Sequence, residues 1–576
     1  MTQASRRAIL KNMAAAGAFA TGGGLAVSQS RAATRAEIAK IADTCQPLSG
    51  LSFDAEEQQQ ALSAIDEIVD RARTIAALSL ENDLPPAELF DPRLPDWRPA
   101  KNMSPEASPP VLPPLPATGE DIAFAPAWQQ SGWIGNGKLT SGELTEIYLD
   151  RIAVRAGRLN CFVTLLHDEA RAVAAERDRE MARGICRGSL HGLPYGLKDL
   201  IDTAGVRTTW GGEPYRNRVP SRDATIVERL HEAGAVLLGK TSCGAIAYGD
   251  RWYGGQTRNP WNVEEGSSGS SSGSAAAVAD GLCAFAIGTE TMGSIVAPAA
   301  RCGTVGLRPT FGRVPRTGTM ALCWSLDKIG VLARNVRDTV EVLRVLNGPD
   351  SKDACAIAAP LAPVPEIDPG QVRLGYRSEW FASGPDTDRA VLRAAQEAGF
   401  QMTEIDLPAL DLAPLGGIVV LEAAAAFEEL TATGMDEKLV WQEDIAWPNS
   451  WRAAHFETAV NYIQAQRQRR RLMEEFAEVM GGVDAILHPN NAGGLLIIGN
   501  HCGYPGLVFP AGFVDQPTRK GFTAFVPATD AAADAQVKSV PFTATLTGHL
   551  FDEARLTAIG GVLTQALALP ARHPPA

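Results

Sequence analysis

Residues 266–274 consist only of glycine and serine, and they lead directly into the alanine-rich stretch 275–279. A segment of this kind is either a flexible linker or a place where backbones approach each other closely. Residues 288–294 follow soon afterwards with further glycines and end in Ser294. A linker would interrupt a region that is otherwise patterned for packing. The composition therefore favours a tight loop that opens a buried helix inside a domain.

Helix-period and strand-like patterns alternate from residue 122 onward. Residues 141–154 and 224–234 repeat apolar side chains at helical spacing, and residues 235–239 form a short apolar run typical of a buried strand. The same alternation continues with a strand at 372–376, a helix at 387–398 and a strand at 402–405. Strands alternating with helices predict an α/β protein with a largely buried sheet.

The N-terminus has the order of regions found in export signals. Arg6, Arg7 and Lys11 precede an apolar stretch at 13–27, and residues 30–32 offer small side chains for cleavage. Residues 5–11 resemble the twin-arginine export motif. The apolar stretch is too short and too weakly apolar for stable membrane insertion. Residues 1–33 are therefore predicted to be a twin-arginine-type signal peptide of a periplasmic or secreted bacterial protein, with a basic N-terminal helix as the alternative.

Residues 34–117 are predicted to be an extension in front of the main domain. Residues 54–80 carry apolar side chains at helical period, and Asp54 with Glu57 forms a candidate capping box. Eleven prolines then occur between residues 85 and 116. This composition predicts an extended, irregular strap that leads into one large domain at 118–576.

Charge and cysteine spacing exclude several classes of partner. The net charge is −13, from 53 basic and 66 acidic residues, so a nucleic-acid partner is disfavoured. The nine cysteines include no C-x-x-C pair and no cluster with histidine at zinc spacing. They are read mostly as small buried residues. Neither a metal nor another cofactor is expected.

Two serine motifs suggest other chemistries. Residues 269–273 match G-x-S-x-G around Ser271, but a nucleophile elbow needs a buried strand before it, and 259–265 does not look like one. Ser325 and Lys328 match the S-x-x-K of penicillin-recognising enzymes, although the companion S-D-N and K-T-G motifs are missing. Both motifs are weaker indications than the group of segments described next.

Several segments in chain order resemble the motifs of the amidase signature family. The resemblance runs from about residue 118 to about residue 568, and the combination of motifs is highly specific. It implies a large single domain with a mixed β-sheet core flanked by helices. The matching segments are 191–199, 239–242, 268–279, 289–299, 306–310, 503–512 and 551–556.

The resemblance assigns a catalytic relay to Lys198, Ser270 and Ser294. In such a relay Lys198 takes a proton from Ser270, which takes one from Ser294, across a cis Gly269–Ser270 peptide. The chemistry is consistent, because an amine acts as a base only while neutral, and burial favours the neutral form. From spacing alone, Lys198 could equally be a structural cation paired with Asp199.

The resemblance also places an oxyanion hole on the backbone of Thr291, Met292, Gly293 and Ser294. The family usually has Asp at position 290, Gly at 292 and Arg at 296. This chain has Glu290, Met292 and Val296 there. Without the arginine, we expect an uncharged acyl portion in the substrate.

The predicted reaction is hydrolysis of a non-cyclic amide, or of a related ester or carbamate, through an acyl-enzyme on Ser294. Ser271 and Tyr248 are predicted to contact this small-molecule substrate, and the loop 248–261 and the segment 441–451 are predicted to build its pocket. A homodimer is left open. Two alternatives remain: a non-catalytic binding protein on an amidase fold, and a subunit of the glutamine-amidotransferase type. The export signal argues against the second of these.

Overall fold

The chain divides into two compact units, residues 1–77 and 78–576. In this computed structural model the described residues are Lys40, Asn82, 87–99, 105–382, 384–443, 445–490, 492–519 and 536–575. The predicted signal peptide at 1–33 and the predicted helix at 54–80 lie outside the described residues. They stay predictions, as does the domain boundary at residue 118.

The second unit is built around one mixed sheet of eleven strands, in the order β1-β3-β2-β8-β10-β9-β14-β15-β13-β11-β12. Pairs of β4 with β5 and of β6 with β7 form two small additional sheets. The strands are β1 Phe162–Leu165, β2 Pro194–Lys198, β3 Val236–Thr241, β4 Arg251–Trp252, β5 Gly255–Gln256, β6 Arg258–Asn259, β7 Asn262–Gly266, β8 Phe285–Glu290, β9 Val305–Arg308, β10 Lys328–Ala333, β11 Arg373–Tyr376, β12 Gln401–Glu404, β13 Ala485–Pro489, β14 Gly506–Pro517 and β15 Val537–Gly548.

Helices flank this sheet, and their apolar faces form the core with the strands. Most of the strands in the middle of the sheet are buried at every position, as β2, β8, β9 and β10 show. The helices are α1 Gly119–Phe124, α2 Ala127–Gly135, α3 Ser141–Leu159, α4 His167–Ala182, α5 Thr225–Glu232, α6 Ser272–Ala279, α7 Val296–Cys302, α8 Val336–Leu346, α9 Ser378–Ala382, α10 Asp386–Glu397, α11 Ala413–Ala426, α12 Glu428–Ala432, α13 Trp447–Ala454, α14 Ala459–Gly481, α15 Leu495–Cys502 and α16 Glu553–Leu567.

The α/β fold predicted from the sequence is confirmed. The six elements predicted from periodicity appear as α3, α5, β3, β11, α10 and β12, each within a few residues of its predicted bounds. The stretch 259–265, which is not expected to be a buried strand, contributes no strand to the main sheet. Residues of this stretch form β7, a short strand that pairs with β6 outside the main sheet.

Helix α6 explains the glycine and serine run. All eight of its residues are buried, and their small side chains let the helix lie close to the strands. A Cβ added at Gly273 would stand 2.4 Å from the carbonyl oxygen of Cys161 and from the nitrogen of Ser242. The segment is thus a packed turn and helix, as the composition predicts, because larger side chains would not fit.

The proline-rich strap follows the surface of the same unit in an irregular path. An isolated bridge joins Glu106 to Pro365, and the Trp133 Nε1–H donates to the carbonyl oxygen of Pro113 at 2.8 Å. Where the chain is described, none of its helices has both the length and the apolarity that a membrane span requires.

Candidate active site

Three parallel strands bring the motif residues to one edge of the sheet. Strand β2 pairs in parallel with both β3 and β8, so their carboxyl ends lie side by side. Lys198 is the last residue of β2, and Thr289 and Glu290 end β8. The carboxyl edge of parallel strands is the usual place for a site in such sheets.

The Lys198 ammonium group is fully buried and surrounded by uncharged oxygen atoms. Its Nζ lies 2.8 Å from Ser270 Oγ, 3.0 Å from Ser271 Oγ and 2.8 Å from Thr289 Oγ1. Burial lowers the pKa of Lys198 to about 7. A large fraction of this lysine is therefore neutral near neutral pH.

Asp199 does not pair with Lys198. Its Oδ2 accepts hydrogen bonds from the Thr209 N–H at 3.0 Å and from the Thr209 hydroxyl. Within the described residues no carboxylate lies close enough to Lys198 for an ion pair. The structural-cation interpretation, in which Asp199 neutralises Lys198, is wrong because the two side chains have different partners.

The loop before α6 places Ser270 and Ser271 against Lys198. The Gly269–Ser270 peptide is cis, as the resemblance implies. A Cβ at Gly269 would lie 1.7 Å from the Gly249 carbonyl oxygen, so only glycine fits there. Ser271 Oγ also donates to the Thr289 carbonyl at 3.0 Å and accepts from the Thr289 N–H at 3.1 Å. Ser271 thus holds the lysine environment together, and its contact with substrate stays a prediction.

Ser294 is buried in the loop that follows β8. Its carbonyl oxygen accepts a hydrogen bond from the Ser271 N–H at 3.1 Å, which joins the two loops. In the described part of the chain Ser294 Oγ makes no hydrogen bond to Ser270. The structure therefore brings Lys198 and Ser270 into direct contact and holds Ser294 on the adjoining loop; the role of each residue stays a prediction.

The predicted oxyanion loop has free backbone donors. No hydrogen bond among the described residues uses the N–H groups of Met292, Gly293 or Ser294. Gly293 has φ +93°, a conformation that favours glycine. The Thr291 hydroxyl donates to Asp327 Oδ1 at 2.5 Å. The Met292 side chain packs against a cluster of buried apolar residues that includes Leu495 and Ile498.

Glu290 ties both ends of this loop together. Its Oε2 accepts hydrogen bonds from the N–H groups of Ile295 at 2.8 Å and Val296 at 2.9 Å. Its Oε1 accepts from Arg308 Nη1 at 3.0 Å and from Asn500 Nδ2 at 2.8 Å. Burial opposes ionisation, but Arg308 and these donors hold the pKa of Glu290 below its usual value. Sequence comparison within the motif marked Glu290 only as a departure from the family pattern.

Tyr248 lies in an aromatic group formed by the two segments predicted to build the pocket. Its ring is 5.0 Å from that of Trp441 and 4.9 Å from that of Trp447. Trp447 Nε1–H donates to the Ile246 carbonyl at 2.8 Å. The segments are adjacent as expected, and the substrate contact of Tyr248 stays a prediction.

A cavity opens beside the relay. It is lined by Thr289 and Thr291 on one side and by the segment 316–324 on the other. Because Thr289 Oγ1 contacts Lys198, a group in this cavity lies next to the predicted chemistry. Asp327 and Thr289 were not singled out as site residues from the sequence; Thr289 stands inside the motif, so its position was the available signal.

The competing S-x-x-K motif does not form a serine–lysine pair. Ser325 Oγ donates to Glu422 at 2.6 Å and accepts from Arg469 Nη1 at 3.0 Å. Lys328 Nζ donates to the Leu326 carbonyl instead.

Where the chain is described, no group of three or more His, Cys, Asp or Glu side chains could hold a metal ion.

Comparisons with known proteins found one matching family and several similar proteins. The sequence profile of the Amidase family matches residues 143–509. A glutamyl-tRNA(Gln) amidotransferase subunit of Roseiflexus sp. (strain RS-1) is 34% identical over 477 residues, which is 74% of this chain and 92% of that protein. The native peptide amidase of Stenotrophomonas maltophilia has 30% identity and a TM-score of 0.66, covering 78% of this chain and 98% of its own. An amidase family protein of Bacillus anthracis str. Ames has 26% identity and a TM-score of 0.67, covering 80% and 93%.

Proposed function

The chain belongs to the amidase family, and on this basis we propose that it hydrolyses the carbon–nitrogen bond of a non-cyclic amide through an acyl-enzyme on Ser294. The observation that carries the proposal is the Lys198 Nζ to Ser270 Oγ contact of 2.8 Å in a fully buried setting. A serine hydroxyl becomes a useful nucleophile when a neighbouring base removes its proton. Lys198 is suited to that role because it is buried and its hydrogen-bond partners are uncharged.

In the proposed reaction, neutral Lys198 accepts the Ser270 proton while Ser270 accepts the Ser294 proton. The Ser294 oxygen then attacks the carbonyl carbon and forms a tetrahedral oxyanion. Hydrogen bonds at catalytic serines commonly tighten only when substrate is bound, so Ser294 can close on Ser270 at that stage. The proton returns through the relay to the leaving amine, and water then hydrolyses the acyl-enzyme.

The free N–H groups of Met292, Gly293 and Ser294 support the oxyanion-hole assignment. Donors fixed before the reaction stabilise developing charge without reorganising, and each is worth about 3 kcal/mol in related sites. A Met side chain at position 292 leaves its N–H available. Val296 supplies no charge, which supports an uncharged acyl portion.

Labelling with a fluorophosphonate tests the proposal. Wild-type protein should be labelled and should hydrolyse aryl, alkyl or peptide amides, and Ser294→Ala should lose both activities, with kcat lowered by about 10⁴-fold or more. Ser325→Ala is the matched control, because Ser325 belongs to the other serine–lysine motif and should leave labelling intact. Wild-type protein that neither labels nor hydrolyses any amide would instead favour a binding protein on this fold.

A second candidate is a glutamine-hydrolysing component of a larger enzyme. It is favoured by the relatives that are glutamyl-tRNA(Gln) amidotransferase subunits. The acidic net charge of −13 and the signal-like N-terminus favour a stand-alone exported amidase. Glutaminase activity that rises when a tRNA-binding protein co-purifies would establish the second candidate.

Export to the periplasm or the medium is part of the proposal. It is supported by Arg6, Arg7 and the apolar stretch that follows them. Fractionation of cells should find the protein outside the cytoplasm, and Arg6→Lys with Arg7→Lys should retain it inside. Equal distribution of the two forms would refute export by this route.

A further inference from the structure

One wall of the cavity beside the relay is apolar and belongs to the segment 320–324. Met320, Leu322 and Trp324 line it, facing Thr291 of the predicted oxyanion loop. Leu200 and Ala247 also belong to the apolar lining, and charged side chains such as Arg316 and Lys352 line the cavity as well. Thr289 and Thr291 line the same cavity and stand in the motif that leads to Ser294, so the position of this wall decides which acyl groups the cavity can hold.

The carboxylate of Asp327 is hydrogen-bonded to the backbone of this wall. Its Oδ2 accepts hydrogen bonds from the N–H groups of Leu322 at 2.7 Å and Cys323 at 2.9 Å. Its Oδ1 accepts from the Thr291 hydroxyl at 2.5 Å. One carboxylate therefore anchors residues 322–323 of the wall to the oxyanion loop, whereas residue 321 is held from elsewhere.

Asn82 holds the same wall from the opposite side. Its Nδ2 donates to the Ala321 carbonyl at 3.0 Å, and its Oδ1 accepts from the Ala321 N–H at 2.8 Å. It also donates to the Ala426 carbonyl at 3.1 Å, and its own carbonyl accepts from Trp324 Nε1–H at 3.1 Å. Both backbone groups of Ala321 are thus satisfied by one side chain. Leaving such groups unpaired in a part-buried setting is costly, so they fix the wall to Asn82.

Asn82 lies upstream of residue 143, where the match to the amidase family begins. The segment around it is nevertheless attached to the same unit. Phe90 packs edge-on against Phe311 at 5.0 Å, and Trp97 against Phe551 at 5.6 Å. These contacts attach the strap to the unit, and Asn82 is hydrogen-bonded to the wall itself.

We infer that Asn82 is a positioning residue that sets substrate choice: it holds the wall at 320–324 so that the site takes amides with a compact acyl group. This inference rests on the proposed amidase function. It assigns part of the substrate selectivity to a segment outside the matched family region. Loss of the Asn82 contacts should let the wall move outward and admit longer acyl groups.

The test compares acyl series in which the leaving amine is constant. With p-nitroanilides from acetyl to octanoyl, Asn82→Ala should raise the octanoyl-to-acetyl ratio of kcat/KM by about tenfold, the size of effect that pocket contacts with apolar groups produce. The change should appear mainly in KM. Fluorophosphonate labelling should stay at the wild-type rate, because the relay is untouched.

Asn82→Asp is the second variant. It keeps the acceptor for the Ala321 N–H and removes the two N–H donors, so its ratio should lie between wild type and Asn82→Ala. Arg93→Ala is the matched control, since Arg93 pairs with exposed Asp91 on the same segment and, among the described residues, makes no hydrogen bond to the wall. Its ratio should equal that of wild type.

Three results would overturn the inference while leaving the proposed function intact. The first is an unchanged octanoyl-to-acetyl ratio of kcat/KM in both Asn82 variants, and the second is an equal loss of kcat/KM for all acyl lengths together with a lower Tm. The third is a change in kcat/KM that appears only in a substrate series that varies the amine. Failure of the proposed function would look different. Wild-type protein would then show neither labelling nor hydrolysis.

Discussion

Burial of Lys198 among uncharged oxygen atoms explains why this lysine can be a base. A hydroxyl or carbonyl oxygen replaces water only in part around an ammonium group, so the charged form is disfavoured. Lys240 behaves in the same way at the same sheet edge. It is equally buried, and burial lowers its pKa to about 8 although Asp199 and Asp202 attract its charge.

The pKa of Lys198 predicts the pH dependence of the reaction. The base is active when deprotonated, so kcat/KM should fall as the pH decreases through about 7, approaching a tenfold loss per pH unit on the acid side. Above that pH the rate should level off. Initial rates of amide hydrolysis between about pH 5 and about pH 9 measure this profile. A rate that does not change over this range would contradict the assignment of Lys198 as the base.

The nucleophile loop shows how one side chain can organise an element without touching substrate. Glu290 accepts hydrogen bonds from Ile295 and Val296 at the far end of the loop, while Arg308 and Asn500 hold the carboxylate in place. Lys328 stands opposite Glu290 in the neighbouring strand β10. The loop is therefore closed by a charge that remains ionised when buried.

Removal of the Glu290 charge should lower kcat. In Glu290→Gln, one of the two acceptor atoms becomes a donor and meets either the loop N–H groups or Arg308. The resulting displacement of the loop should reduce kcat about 100-fold with little change in KM, since small displacements of reacting groups have effects of this size. Steady-state kinetics and the rate of fluorophosphonate labelling measure it.

Glu290→Asp is the matched comparison for that prediction. It keeps the charge but shortens the reach, and Asp is the residue that the family usually has there, so a smaller loss of kcat is expected. Equal losses in the two variants would show that side-chain length, and not charge, holds the loop. A lower Tm without any kinetic change would point to a purely structural role.

The sequence predicted those helices, strands and motifs whose signal lies in neighbouring residues. The apolar period of α5 and the motif around Ser294 need no information from distant residues. Hydrogen bonds between residues far apart in the sequence leave no local pattern. Asn82 and Ala321, which are hydrogen-bonded, are 239 positions apart. Glu265 accepts hydrogen bonds from Arg519, 254 positions away, and this pairing too has no counterpart in the local sequence pattern.

At the scale of the whole molecule, the C-terminal segments complete the sheet that carries the site. Strand β14 pairs with β9, and β15 lies between β14 and β13. Helix α16 then packs against β14 and β15 and against α8. The halves of the sheet are thus joined through residues far apart in sequence, so the site depends on C-terminal contacts that lie well outside its own motifs.

The ion pair between Arg313 and Glu553 tests how strongly these contacts stabilise the fold. Arg313 Nε lies 2.7 Å from Glu553 Oε2, and neither side chain is exposed. Arg313→Leu leaves a buried carboxylate without its cation, and we expect the free energy of unfolding to fall by about 3–5 kcal/mol. Urea denaturation followed by circular dichroism measures this loss.

Adding Glu553→Leu to Arg313→Leu should recover part of the lost stability, because the pair and not each charge is stabilising. The exposed pair of Arg171 and Glu146, with both side chains about half exposed, is the control, and Arg171→Ala should change the free energy of unfolding far less. A similar small loss in both single variants would show that the sheet does not depend on the buried pair.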